Sequence, residues 1–157
     1  MPLPDPSVPD PSALAHLIGH ACPPFTVEVE KGAIRRFAEA LGDRNPIRHD
    51  EDAARAAGYA GLVASPTFPA SFRVPGDPPW MLRLDRSRIR AGEQGFRLHR
   101  PILAGDRLVC RLTLTAVEAK EGRSGPLTLL VQDLAGSDEA GVAVFGNRRV
   151  AVHLGAL

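Results

Sequence analysis

Residues 37–50 read FAEALGDRNPIRHD, a stretch in which a predicted helix ends and a predicted turn begins. The helix extends from about Lys31 to Leu41, because apolar side chains recur there at the i, i+3, i+4 and i+7 spacing of one helical face. These apolar positions are Ile34, Phe37, Ala38 and Leu41. Gly42 is suited to close the helix in a left-handed conformation. The stretch therefore predicts one amphipathic helix with a single side to bury, followed at once by polar residues in a turn.

Strands are predicted on both sides of this helix. Before it, residues 25–30 alternate apolar and polar side chains, which is typical of a half-buried strand. After it, residues 43–80 are irregular and rich in proline, apart from a short alanine-rich helix that Asp50 can cap. Four further strands are predicted at 94–99, 107–118, 126–134 and 142–153. This order indicates an α+β fold in which a curved antiparallel sheet wraps around one central helix. The open edges of such a sheet predict dimerisation through an edge strand.

Length, charge and cysteine content narrow the class of protein. The 157 residues suit a proline-rich N-terminal arm, residues 1–12, and one domain, residues 13–157. With 19 basic and 18 acidic residues the net charge is +1, which gives no field to attract nucleic acid or an anionic membrane. No apolar run reaches the roughly 20 residues that cross a bilayer. Cys22 and Cys110 lie outside any metal-binding or disulfide spacing. These features predict a cytoplasmic enzyme or binding protein that needs no metal or cofactor.

The turn after the helix carries the candidate chemistry. Asp43 follows the glycine stop, and Asn45-Pro46 would fix the backbone so that the carboxylate faces the space beside the helix. His49 comes a few residues later and could share a water molecule with Asp43. The carboxylate would orient that water while the imidazole moves a proton near neutral pH.

The same run resembles the hydratase motif of the MaoC-like family, the (R)-specific enoyl-CoA hydratases. That motif is an aromatic residue, a small residue, Gly-Asp-x-Asn-Pro, an aliphatic residue and then His. Residues 58–68, GYAGLVASPTF, look like the N-terminal dehydratase-type (FAS1-like) branch of that family. The resemblance implies a hot-dog fold, a thioester of coenzyme A or acyl carrier protein, and reversible addition of water across its 2,3-double bond.

The resemblance carries over to individual positions with one departure. Asp43 matches the family aspartate, but the family histidine position holds Arg48, and His49 lies one residue later. A one-residue shift in an extended segment turns the side chain to the opposite side. Arg48 cannot act as a base, because a guanidinium stays protonated. The resemblance implies that Pro66, Thr67 and Phe68 line an acyl tunnel, with packing of the loop against the helix as the alternative. Asn45 is a further candidate for substrate contact, although a bond to the loop backbone is favoured for it. If the chain is the half of a hot-dog pair that lacks the catalytic residues, Arg48 would contact a phosphate or a carboxylated acyl group.

Three functions remain open at this point. The first is a hydro-lyase that uses Asp43 and the displaced His49. The second is a non-catalytic, acyl-binding subunit that pairs with another hot-dog chain carrying the Asp/His pair, so both a homodimer and a heterodimer are possible. The third is a thioesterase, for which the only carboxylate on the central helix is Glu39, on its polar face.

Several other polar residues are predicted to have no role in the site. The interpretation favoured for them is exposure on the surface rather than contact with coenzyme A phosphates. They are Arg83, Arg86, Arg88, Arg90, Arg148, Arg149 and His153.

Overall fold

The computed structural model of the chain describes residues 12–82 and 84–155. Residues 1–11 of the predicted arm, Arg83, and residues 156–157 lie outside this part. The described elements are α1 (Ser12–Ala15), β1 (Phe25–Glu28), α2 (Lys31–Leu41), α3 (Glu51–Ala56), β2 (Ile89–Leu98), β3 (Arg107–Gly122), β4 (Gly125–Ser137) and β5 (Ala143–Leu154). Within the described ranges, no helix is long and apolar enough to cross a membrane.

The five strands form one antiparallel sheet in the order β1-β3-β4-β5-β2. Helix α2 packs its apolar side against this sheet, and Ile34 and Ala38 are buried at the contact. The sheet contributes alternate residues to the same core, among them Leu108, Leu112, Leu134 and Phe145. One helix enclosed by one curved sheet is the hot-dog architecture, so the predicted fold is confirmed.

The predicted helix and strands agree with the structure in number and order. Helix α2 has the predicted bounds, and Gly42 ends it with φ 69°, in the left-handed region. Strand β2 begins at Ile89, five residues before the predicted start. The pairing of β2 with β5 shifts register between Ala91 and Glu93, so a bulge at Gly92 interrupts the alternation that sequence patterns detect.

The irregular excursion between α2 and β2 belongs to the core. Backbone bonds join it to the segment before β3, since Ala64 N–H donates to Ile102 O at 2.8 Å and Ala104 N–H donates to Leu62 O at 2.8 Å. Further along the excursion, Trp80 is fully buried and its indole N–H donates to Gln132 Oε1 at 2.9 Å. The excursion is therefore held at two points, by the segment before β3 in its middle and by strand β4 near its end.

Two residues expected on the surface lie inside. His153 is buried, as its cross-strand neighbour Thr128 is. Arg149 is partly buried and bonds to the excursion, whereas Arg148 is exposed and pairs with Glu93. The physical reason is the alternation along β5: successive side chains leave opposite faces of the sheet, so only one of two adjacent arginines can face solvent. Arg86, Arg88 and Arg90 are exposed.

Candidate functional site

The backbone after α2 turns sharply and holds Asp43 beside the excursion. Asp43 N–H donates to Ala38 O at 2.9 Å, which caps the last turn of the helix. Asn45 then begins a short 3-10 turn, Pro46–Arg48, and its side-chain oxygen accepts the N–H of Ile47 at 3.3 Å. Asn45 is thus an N-cap whose side chain is used within the loop.

The Asp43 carboxylate is held by three donors. Its Oδ1 accepts the backbone N–H of Asn45 at 3.1 Å, and its Oδ2 accepts both Arg48 Nε and the Ser65 hydroxyl, the latter at 2.9 Å. The Asn45 N–H is the largest cause that lowers the pKa of Asp43; the bonds from Ser65 and Arg48 lower it further, while burial opposes them. The carboxylate therefore stays ionised at neutral pH.

Arg48 connects this turn to the excursion. Besides its bond to Asp43, its Nη1 donates to Val63 O at 3.0 Å and to Ala64 O at 2.9 Å. Only 11% of the side chain is exposed. The guanidinium therefore occupies the space next to the Asp43 carboxylate, at the chain position where the MaoC-like motif has histidine.

His49 contacts Asp43 through the main chain. Its Nε2 lies 2.7 Å from the Asp43 backbone O, and its own carbonyl accepts Arg35 Nε at 3.0 Å. Because a carbonyl oxygen can only accept, Nε2 must carry the proton in this bond and Nδ1 is the remaining basic atom. The imidazole is thus bonded to the peptide group of Asp43, while the carboxylate is bonded to Arg48. The catalytic roles of Asp43 and His49 stay predictions.

The three residues predicted to line an acyl tunnel differ in burial. Phe68 is buried and makes edge-to-face contacts with Phe37 and Phe72, at ring-centroid distances of 5.4 and 5.3 Å. Thr67 is half-buried and Pro66 is exposed. Their contacts to substrate stay predictions.

Ser65 was missed from the sequence. It is buried and donates to Asp43 from 22 residues away. Its only signal is its place in the run 58–68, one residue before Pro66, and no local pattern connects that run to Asp43.

Comparison with known proteins identifies the family of this chain. The family model described as the FAS1-like dehydratase domain region matches residues 16–147. A UPF0336 protein of Parafrankia sp. is 48% identical over 101 residues, which is 61% of this chain and 65%, just under two thirds, of that protein.

Two solved structures share the fold. The C-terminally truncated HadBC (3R-hydroxyacyl-ACP dehydratase) complex of Mycobacterium tuberculosis has 26% identity and a TM-score of 0.74, covering 87% of this chain and 96% of that one. A MaoC-like dehydratase also has 26% identity, with a TM-score of 0.73, and the match covers 89% of this chain but only 43% of that longer one.

Proposed function

The chain belongs to the family of FAS1-like dehydratase domain regions, and from this premise we propose that it is the acyl-binding, non-catalytic subunit of a heteromeric hydratase or dehydratase. The substrate of the assembly is a 2-enoyl or (3R)-3-hydroxyacyl thioester of coenzyme A or acyl carrier protein. A second hot-dog chain supplies the Asp/His pair.

The observation that carries this proposal is the bond from Arg48 to the Asp43 carboxylate. Adding water to an enoyl thioester requires a group that takes a proton from the water and returns one to carbon. Arg48 cannot take that proton, and its positive charge holds Asp43 in an ion pair. The Asp43 carboxylate and the Arg48 guanidinium, which occupy the two motif positions, therefore bind each other and stabilise the loop.

The solved relatives support pairing with a second chain. The HadBC protein is a dehydratase complex, and the MaoC-like dehydratase is a longer chain of which this fold covers less than half. A partner that carries an intact Gly-Asp-x-Asn-Pro-x-His run would leave the present chain to shape the acyl site.

The test is hydration of crotonyl-CoA, followed by loss of the enoyl-thioester absorbance. We expect no hydration by this chain alone and hydration once it is combined with a hot-dog chain that carries the intact run. Within the complex, His49→Ala in this chain should change the rate by no more than a few fold. Loss of the partner's motif histidine should lower it by roughly 10²–10⁴-fold, the usual contribution of a general acid–base group.

If this chain hydrates crotonyl-CoA without a partner, and both Asp43→Asn and His49→Ala abolish that activity, the chain is a self-sufficient hydratase and the proposal is wrong. A circular dichroism spectrum of each variant separates loss of chemistry from loss of fold.

A further inference from the structure

A second polar site lies on the sheet, away from Asp43. A cavity of about 480 Å³ separates residues 70–81 of the excursion from strands β3, β4 and β5. The sheet contributes Leu112, Gln132 and Arg149 to its lining. The excursion adds apolar side chains, among them Phe72, Val74 and Met81. The lining of the cavity is thus mixed, with apolar side chains beside polar ones and with the partly buried Arg149 in its wall.

Arg149 has only neutral hydrogen-bond partners. Its Nε donates to Asn147 Oδ1 at 2.5 Å, and its Nη2 donates to the carbonyls of Pro69 and Phe72 at 2.7 and 3.3 Å. Among the residues that the structure describes, no carboxylate comes within ion-pair distance of Arg149, and its Nη1 has no hydrogen-bond partner. Burial lowers the pKa of Arg149, although a guanidinium still keeps its proton at neutral pH.

The charged neighbours of the cavity do not neutralise Arg149. The Cys110 thiol is an ionisable group close enough to act on Arg149, but burial raises the pKa of that thiol to about 12, so the thiol is uncharged. Asp77 also lines the cavity and is paired with Arg86. Arg73 adds a second positive charge at the exposed side. Arg149 is therefore a partly buried positive charge without an ion-pair partner among the described residues, and a ligand anion would supply one.

We propose that this cavity binds a carboxylate at the far end of an acyl chain, with Arg149 as the anchor and the apolar lining around the chain. The proposal rests on the proposed function and names its substrate class: acyl thioesters that end in a second carboxylate. Two features of the wall fit such a group. The free Nη1 offers a charge-assisted bond to one carboxylate oxygen, and Leu112, Met81 and Phe72 offer contact to methylene groups.

The position of Arg149 connects this cavity to the predicted acyl-lining residues. Arg149 donates to the carbonyl of Pro69, within the short 3-10 turn Phe68–Ser71, and to that of Phe72, directly after the turn, which itself follows on Thr67. Arg149 therefore bonds to the same segment of chain that carries the predicted acyl-lining residues.

The experiment compares adipyl-CoA with hexanoyl-CoA, which have the same chain length and differ in a terminal carboxylate against a methyl group. Trp80 is the only tryptophan, and its indole N–H bonds to Gln132 in the cavity wall, so the indole N–H resonance reports on this site. We expect adipyl-CoA to bind roughly tenfold or more tightly than hexanoyl-CoA, as one charge-assisted bond allows, and to shift the Trp80 resonance.

Variants identify the anchor. Arg149→Gln should abolish the preference for adipyl-CoA, Arg149→Lys should keep part of it, and Arg148→Gln, on the opposite face of β5, should leave it unchanged. If Arg149→Gln does not fold, the wild-type comparison and the Trp80 resonance still decide. Equal binding of the two thioesters overturns the proposal. The proposal is also overturned if hexanoate or inorganic phosphate shifts the Trp80 resonance while adipyl-CoA binds no more tightly than hexanoyl-CoA, since the site would then bind a free anion.

This test is independent of the hydration test. It uses the chain alone and measures binding, so a chain that proves to be a self-sufficient hydratase could still prefer adipyl-CoA. Conversely, equal binding of the two thioesters would not contradict the proposal that the chain requires a catalytic partner.

Discussion

The residue at position 48 sets the contacts that the loop after α2 makes. A histidine at position 48 would place an ionisable ring beside Asp43, whereas Arg48 places a permanent cation there. The gain is structural: Arg48 ties Asp43 to the carbonyls of Val63 and Ala64, so the turn and the excursion hold each other in place. The contacts of Arg48 thus order the loop around Asp43.

Replacing Arg48 should therefore cost stability. Arg48→Ala removes two charge-assisted bonds to backbone carbonyls and the ion pair, and we expect the free energy of unfolding to fall by roughly 2–4 kcal/mol. Urea denaturation followed by circular dichroism measures the change. Arg44→Ala is the matched control, because Arg44 is an exposed arginine of the same turn and should change stability by less than about 0.5 kcal/mol. If the two variants lowered the free energy of unfolding equally, the stabilising role assigned to the bonds of Arg48 would be wrong.

The parts of the site found from sequence are those encoded locally. Asp43, Asn45 and Arg48 fall within six residues of one another, so a glycine stop and an Asn-Pro turn are enough to single them out. Ser65 was missed, and Arg149 was wrongly predicted to be exposed, because their partners lie 22 residues away in one case and 77 to 80 in the other. Only the folded excursion brings those groups together, and no periodic pattern encodes its course.

At the scale of elements, local rules predict the helix better than the sheet. Helix α2 could be bounded to the residue because its apolar spacing, and the glycine that ends it, are both local. Strands β3 and β4 extend beyond their predicted ends to form a hairpin that closes at Gly122 and Gly125. Pairing with a neighbour strand, rather than alternation alone, sets those ends.

Close packing between β4 and β5 leaves no room for a side chain at Gly136. A Cβ on Gly136 would overlap the Phe145 ring, with Cδ1 and Cζ at 2.7 Å. The ring is buried and packs edge-to-face on Phe72 at 5.5 Å, so it cannot easily move aside. We expect Gly136→Ala to lower the free energy of unfolding by about 1–3 kcal/mol in thermal or urea denaturation.

Gly146, in the facing strand, is the control for Gly136. A Cβ there would meet no atom within 4 Å. Gly146→Ala should be neutral or stabilising by up to about 1 kcal/mol, because alanine loses less backbone freedom than glycine on folding. If both alanine variants were equally stable, the Phe145 ring would not be held as the structure has it.

At the scale of the whole molecule, the two edges of the sheet differ. Strand β1 has four residues, and its edge is short. Strand β2 has ten residues, and it pairs only with β5 among the described strands, so the backbone groups on its other side pair with no strand. A long, exposed edge is the surface on which a second hot-dog chain can add its own strand. A catalytic partner that added its strand to β2 would therefore also pair the open edge of the sheet.

This reasoning predicts which amides change on assembly. Hydrogen exchange followed by mass spectrometry would compare the chain as a monomer at high dilution with the chain in its dimer, formed with itself or with the catalytic partner. Exchange in residues 89–98 should slow on assembly, because edge amides gain hydrogen-bond partners. Strand β4 is paired on both sides within the chain and serves as the internal control, with no change expected. Slowing confined to residues 25–28 would move the interface to β1. If the exchange rate of residues 89–98 is the same in the monomer and in the dimer, β2 has gained no partner strand and this mode of pairing is wrong.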